Sequence, residues 1–143
     1  MVSGGHMTKK SLILIGHGSK MPFMAKTIRG LAGNIAKKGV WDKVSYCFLQ
    51  MNEPSIESAL EVVCRDKEMV TVVLVPVFIS HGAHTLYDIP AMLGMEKGCR
   101  SSIRDLNGRE RALILADPIG SDPLLSDIID NLGTLALEDG HNL

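Results

Sequence analysis

The sequence predicts an α/β fold with a four-stranded, mainly parallel sheet flanked by helices. Three observations carry that expectation. Short apolar runs alternate several times with stretches of helical period. The first run, residues 11–15 (SLILI), is almost continuously apolar, as in a strand covered on both faces. Residues 70–75 form the most β-branched run, which suits a central strand. The 143 residues fit one domain, expected over 7–138, with a frayed tail at 139–143. Residues 1–6, ahead of a second Met7, read as a cloning remnant, and His6 is set aside with them.

The elements follow in order. Strand one ends in Gly16-His17-Gly18-Ser19, and Pro22 suits the first turn of a helix. Met24, Ile28, Leu31, Ala32 and Ile35 make that helix's apolar face, with Gly30 and Gly33 read as marks of close packing and Gly39 as its stop. Strand two spans 44–50. Asn52-Glu53-Pro54 turns into a helix in which Ile56, Ala59, Leu60, Val63 and Cys64 repeat, to about Lys67. Strand three ends near Pro76, which cannot donate to a ladder, so regular pairing should stop there or lie at an edge. A short helix follows over 88–93, with Asp88 as its cap. Residues 94–110, rich in Gly, Ser, Asn and charge, read as an exposed, mobile loop. Strand four covers 111–116. Asp122 then caps a closing helix lined by Leu124, Leu125, Ile128, Ile129, Leu132 and Leu135.

Composition narrows the function. Fifteen Lys and Arg against sixteen Asp and Glu leave no broad basic field for nucleic acid or an anionic membrane. Aromatic residues, at 4%, are too few for a base-stacking platform. No apolar run approaches the ~20 residues of a membrane span. Cys47, Cys64 and Cys99 are odd in number and far apart, which argues against a disulfide framework or a CxxC metal site. They read as small buried apolar residues in a reducing cytoplasm. The eight Met read as core filler.

Ligands of parallel sheets bind beyond the carboxyl ends of the strands. That rule selects residues 16–19, 52–53 and 79–84. Gly16-His17-Gly18-Ser19 allows three readings: a tight turn, a phosphate cradle, or a His presented as base or ligand. The cradle lacks the third Gly of GxGxxG, where Met21 stands, and there is no GxxxxGK. His81-Gly82-Ala83-His84 is a weak metal pattern on its own. Of five histidines, however, all but His6 and His141 fall on this one edge. His17 and His84 could meet between neighbouring strands. Two imidazoles with open positions suit Co(II), Ni(II), Fe(II) or Zn(II), and without a nearby thiolate they favour an exchange site over a closed structural one. Glu53 reads either as an N-terminal helix cap or dipole compensation, or as a carboxylate facing the same pocket. Ser19 reads as a cap, and Phe78 and Tyr87 as packing residues.

Residues 15–19 (IGHGS), 52–56 (NEPSI), 75–85 (VPVFISHGAHT), 88–90 (DIP) and 118–122 (PIGSD) occur in that order. In these segments the chain resembles the short, single-domain class II tetrapyrrole chelatases: the small sirohydrochlorin cobaltochelatases and the archaeal nickel chelatases of coenzyme F430 synthesis. The resemblance runs from about Leu12 to Leu135. It implies metal ligation and proton abstraction at His17 and His84. It implies substrate contacts from Glu53, Ile79, Ser80, His81, Gly82, Ala83 and His84. Some relatives carry a His-rich run at the position of residues 94–110, which here contain no His. The expected activity is insertion of Co(II) or Ni(II) into sirohydrochlorin or its diamide, with no permanently bound cofactor. The partners expected are the tetrapyrrole, the divalent metal and a second copy in a homodimer. A non-catalytic metal or tetrapyrrole carrier using the same histidine edge is the alternative.

Overall fold

The computed structural model describes residues 8–141. The proposed remnant at 1–6 and the last two residues of the expected tail lie outside them. The elements are β1 (Lys9–Gly16), α1 (Phe23–Ala36), β2 (Lys43–Phe48), α2 (Ile56–Val63), β3 (Met69–Pro76), α3 (Ile89–Met92), β4 (Ser101–Leu106), β5 (Arg109–Leu115) and α4 (Leu124–His141). A π-type turn, His84–Asp88, precedes α3, and a 3₁₀ turn, Ile119–Ser121, precedes α4.

The sheet has five strands, in the order β2-β1-β3-β5-β4, so the α/β expectation holds with one strand added. β1 pairs in parallel with β2 and β3, and β3 in parallel with β5. The added strand, β4, is antiparallel to β5 and lies inside the stretch read as a mobile loop. Asn107 (φ 56°) and Gly108 (φ 77°) form the two-residue turn that joins them. Positive φ at both central positions gives a primed hairpin turn, whose twist matches that of the flanking strands. The Asn-Gly pair outweighs the polar composition around it.

Side-chain alternation along β1 sends Leu12 and Leu14 to one face and Ile13 and Ile15 to the other. On the first face, Ala25, Ile28 and Ala32 of α1 pack with Leu12, Leu14 and Phe48. On the second, Ile56, Ala59, Leu60 and Val63 of α2 and Ile89 and Leu93 around α3 pack with Ile13, Ile15, Val72, Leu74, Leu113 and Leu115. β3 lies at the middle of the sheet, and its pairing with β1 ends at Pro76, where a residue without an N–H costs least.

Several local expectations are corrected. α2 stops at Val63, four residues before Lys67. Arg111, fully buried, takes over the carbonyls beyond the helix end. Its Nη2 donates to Cys64 O (2.9 Å), and its Nη1 to Asp66 O (2.9 Å) and Met69 O (2.6 Å). Cys47 and Cys64 are buried but Cys99 is exposed, on the turn closed by Cys99 N donating to Glu96 O. Gly30 and Gly33 face open space instead of a packed neighbour. Helix α4 continues through His141, past the tail boundary expected at 139. Its apolar side does not close over the sheet: Leu124, Ile128, Ile129, Leu132 and Leu135 are all exposed. No helix among the described residues is long and apolar enough to cross a membrane.

Two predictions follow from these contacts. Arg111→Met should lower stability by about 3 kcal/mol in chemical denaturation, because the buried Cys64 and Met69 carbonyls and the part-buried Asp66 carbonyl lose a charged donor. The second concerns Asp66, which accepts a hydrogen bond from Lys9 Nζ at 2.9 Å. That bond, with the Glu68 backbone N–H, holds the Asp66 carboxyl below its ordinary value. A carboxylate lowered in the folded state adds stability above its unfolded value of about 3.9, and the contribution is lost as pH falls through the folded value. Asp66→Asn should therefore remove part of the stability at pH 7 and little at pH 2, as read by thermal melts at both.

Candidate metal and tetrapyrrole site

The strand order places the candidate loops. β1 connects outward to β2 through α1, whereas β3 lies on the opposite side of β1 and is reached through α2 on the other face. The order therefore reverses between β1 and β3, and the loops leaving those two strands diverge. A crevice at such a switch point is the usual ligand site of an open α/β sheet.

The first loop turns at Gly18, with φ of +100°. A Cβ there would lie 1.8 Å from the Gln50 carbonyl oxygen, so only glycine lets the chain pass. The Ser19 N–H donates to Asn52 Oδ1 at 2.8 Å, which ties this loop to the second. Ser19 Oγ accepts from Met21 N–H, so the expected cap acts on the turn just ahead of α1. In the second loop Ser55, not Glu53, caps α2, accepting from Ser58 N–H. That removes the capping role for Glu53, which stands exposed beside the Asn52 tether, before a cis Glu53–Pro54 bond.

The third loop is held by residues that the sequence reading passed over. Buried Thr85 accepts from Gly82 N–H at 2.9 Å and lies 3.0 Å from His81 Nδ1. Arg100 donates to Thr85 O at 3.3 Å and to Ala116 O at 2.6 Å, bracing the π-type turn against the end of β5. Gly120 lies flat on the loop's start, where a Cβ would come 1.6 Å from Ile79 O. His81 Nε2 faces Asp117 Oδ1 at 3.4 Å. Ile79, Ser80, Gly82 and Ala83 are exposed along the same rim.

Across the crevice the His17 and His84 rings meet edge-on, 5.0 Å between centroids and 68° between planes. Phe78 backs His17 at 5.9 Å. Asp88, expected as a helix cap, makes no cap bond and instead accepts from His84 Nδ1 at 2.8 Å. Four residues apart, the two side chains share one side of the widened turn. The Asp88 contact assigns the proton to Nδ1 and leaves Nε2 as a lone-pair donor, the arrangement that orients metal-binding histidines. Nδ1 of His17 lies 3.4 Å from both the Gly18 carbonyl and the Gln50 amide. Among the described residues no group of three or more His, Cys, Asp and Glu side chains is disposed to hold one metal. A cation between these rings would have two imidazole ligands and further positions for water or an incoming donor.

The family profile for CbiX matches residues 11–133. The chain belongs to the CbiX family. Among CbiX relatives, a sirohydrochlorin cobaltochelatase from Methanosarcina acetivorans is 34% identical over 125 residues, covering 86% of this chain and 94% of its own. A solved structure from Marinobacter aquaeolei VT8, described as a candidate CbiX protein of cobalamin (vitamin B12) biosynthesis, has a TM-score of 0.67. It covers 91% of this chain and 98% of that one, and at 23% identity it bears on the fold alone. The cobalt complex of the sirohydrochlorin chelatase SirB from Bacillus subtilis subspecies spizizenii shares 26% identity at a TM-score of 0.53. That match covers 61% of this chain and 37% of that one.

Gly120→Ala tests how the third loop is supported. The new methyl cannot coexist with the Ile79 carbonyl, so either the loop or the 3₁₀ turn must move. A melting temperature lowered by several degrees is expected, of order 1–3 kcal/mol.

Proposed function

We propose that this CbiX-family chain inserts Co(II) or Ni(II) into sirohydrochlorin or its a,c-diamide, as a step towards cobalamin or coenzyme F430. The edge-on pair of His17 and His84 at the switch point carries this reading. It gains support from relatives that are named sirohydrochlorin cobaltochelatases. The same loops would line the macrocycle: Glu53 from the second, and Ile79, Ser80, His81, Gly82 and Ala83 from the third.

Insertion exchanges one M(II) for two pyrrole N–H protons. The metal must shed water, and both protons must leave. Two neutral imidazoles hold a first-row divalent ion without the closed cage of a structural site, so the pyrrole nitrogens can displace them. As the metal transfers, each freed imidazole can take a pyrrole proton and pass it to water. At His84 the proton enters at Nε2, and the resulting imidazolium would lie against the Asp88 carboxylate that already holds Nδ1. The metal here is substrate, and no resident cofactor is needed.

We place the reaction in the cytoplasm, given three free cysteines and no charge field for a membrane surface. We also propose a homodimer. Ligand sites usually enclose most of their ligand, and a tetrapyrrole of roughly 10–15 Å outsizes one open sheet edge.

The reading is tested by absorbance assays of sirohydrochlorin with each metal. His17→Ala and His84→Ala should each remove most insertion activity while changing stability by less than ~0.5 kcal/mol. The double variant should be little worse than the worse single one, since the two residues act as a unit. His81→Ala should cost less than either. Near-normal cobalt and nickel insertion by His84→Ala would overturn the assignment. A spectral change that stops at one macrocycle per site would instead indicate a carrier.

A further inference from the structure

The two histidines of the crevice are held in unlike ways. His84 has one strong partner at Nδ1, the Asp88 carboxylate at 2.8 Å. His17 has two weak ones, the Gly18 carbonyl and the Gln50 side-chain amide, both 3.4 Å from its Nδ1. Those two groups ask for opposite tautomers. A carbonyl oxygen only accepts, so the Gly18 contact requires the proton on Nδ1 and leaves the Nε2 lone pair for a metal. An amide N–H only donates, so the Gln50 contact requires the lone pair at Nδ1. It puts the proton on Nε2, where it blocks a metal.

The backbone fixes Gln50 in this place. Its carbonyl lies against Gly18, where a Cβ would come within 1.8 Å. The same carbonyl accepts from Asn52 N–H at 2.7 Å, across Met51, whose φ is 64°. A bond that spans one residue of positive φ makes the strained form of the γ-turn, and such strain persists where surrounding contacts over-determine it. Asn52 Oδ1 in turn holds Ser19 N–H. The first and second loops are thus locked together at Gly18–Ser19 and Gln50–Asn52, with the Gln50 side chain beside the His17 ring.

We propose that Gln50 is a positioning residue that keeps His17 the weaker of the two metal ligands, so that the metal leaves His17 first and His84 last. This rests on the reading of both histidines as ligands. Only the share of His17 that carries its proton on Nδ1 can bind, and the apparent affinity falls by that share. The carboxylate behind His84 acts the other way, fixing one tautomer and raising the basicity of Nε2. As the first pyrrole nitrogen displaces His17 from the metal, His17 Nε2 takes that pyrrole's proton. The imidazolium then releases its Nδ1 proton to water. The neutral ring is left in the tautomer that Gln50 holds, which cannot take the metal back. The second pyrrole proton goes to His84 Nε2 as the metal completes its transfer.

Gln50 is exposed, so its replacement leaves the core intact. Gln50→Met removes the amide and keeps the length. It should bind Co(II) about two- to fivefold more tightly in calorimetry, because more of His17 is competent to bind. Its insertion of Co(II) into sirohydrochlorin should show a lower KM for the metal and a lower kcat. Gln50→Glu puts a carboxylate at Nδ1, as Asp88 does at His84, and should tighten binding further, by about tenfold. A merely structural Gln50 predicts the opposite sign, weaker binding in both variants. The ring tautomers of the metal-free protein, read by nitrogen NMR in mildly alkaline buffer, give a readout independent of turnover. His84 should carry its proton on Nδ1 alone. His17 should divide between Nδ1 and Nε2, and shift to Nδ1 in Gln50→Met. Unchanged or weaker Co(II) binding by Gln50→Met, or a wild-type His17 already wholly protonated at Nδ1, would overturn the role of Gln50 and leave the two ligands standing. A wild-type chain that binds no Co(II) would overturn both readings.

Discussion

The parallel pairing of β1 with β3 is the constraint on which the rest of the molecule depends. Because β2 lies on the other side of β1, the two helical crossovers pass over opposite faces of the sheet. The carboxyl ends of β1 and β3 are then the one place where adjacent strands send their chains apart. The register decides what meets there. Ile15 pairs with Pro76, and Val77 N–H still donates to Ile15 O. The next residues out are Gly16 and His17 on one strand and Phe78 on the other. His17 reaches Phe78 at once, and the π-type turn brings His84 back over it. A slip of one residue would reverse which side chains face each layer and separate these rings.

The site is exposed, yet its supports are main-chain contacts of short reach. Asn52 holds the first loop by a backbone N–H, Thr85 and Arg100 hold the third through N–H and C=O groups, and two glycines admit carbonyls that any side chain would exclude. Such supports cost little entropy, because they fix backbone that the strands have already directed. They leave the imidazoles at the surface, where a large flat ligand can approach, while their positions remain defined.

The alternation of strands and helices, the central β3 and the gathering of histidines on one edge were legible because they rest on composition and period. The partner of His84 was less so. Asp88 precedes Ile89-Pro90, and Asp ahead of Pro normally signals a cap. Only the widened turn brings Asp88 to Nδ1, and periodicity carries no mark of that turn. β4 was hidden by its polar alternation, although Asn107-Gly108 was a hairpin signal in plain view. Arg111 was read as the first residue of a strand, since a charge at a strand end is normally solvated. Its burial depends on carbonyls at residues 64, 66 and 69, more than forty positions away. For α4 the period revealed an apolar side, but a period cannot say which surface will cover it.

The donor types present at the crevice, and those kept from it, bear on what kind of metal chemistry the fold can support. A chelatase must hold its metal long enough to orient it and loosely enough to lose it. Thiolates would hold too well, and both core thiols, Cys47 and Cys64, are fully buried. Cys47 sits in the core, where burial pushes its thiol up to about 12, so it stays protonated. Cys64 is raised by burial as well, at the far end of α2. Cys99 is exposed, on the turn ahead of β4. The groups that converge on the crevice are imidazoles, with one carboxylate behind His84. These are borderline donors that also accept protons, and a reaction that passes a metal one way and two protons the other requires both properties at the same atoms.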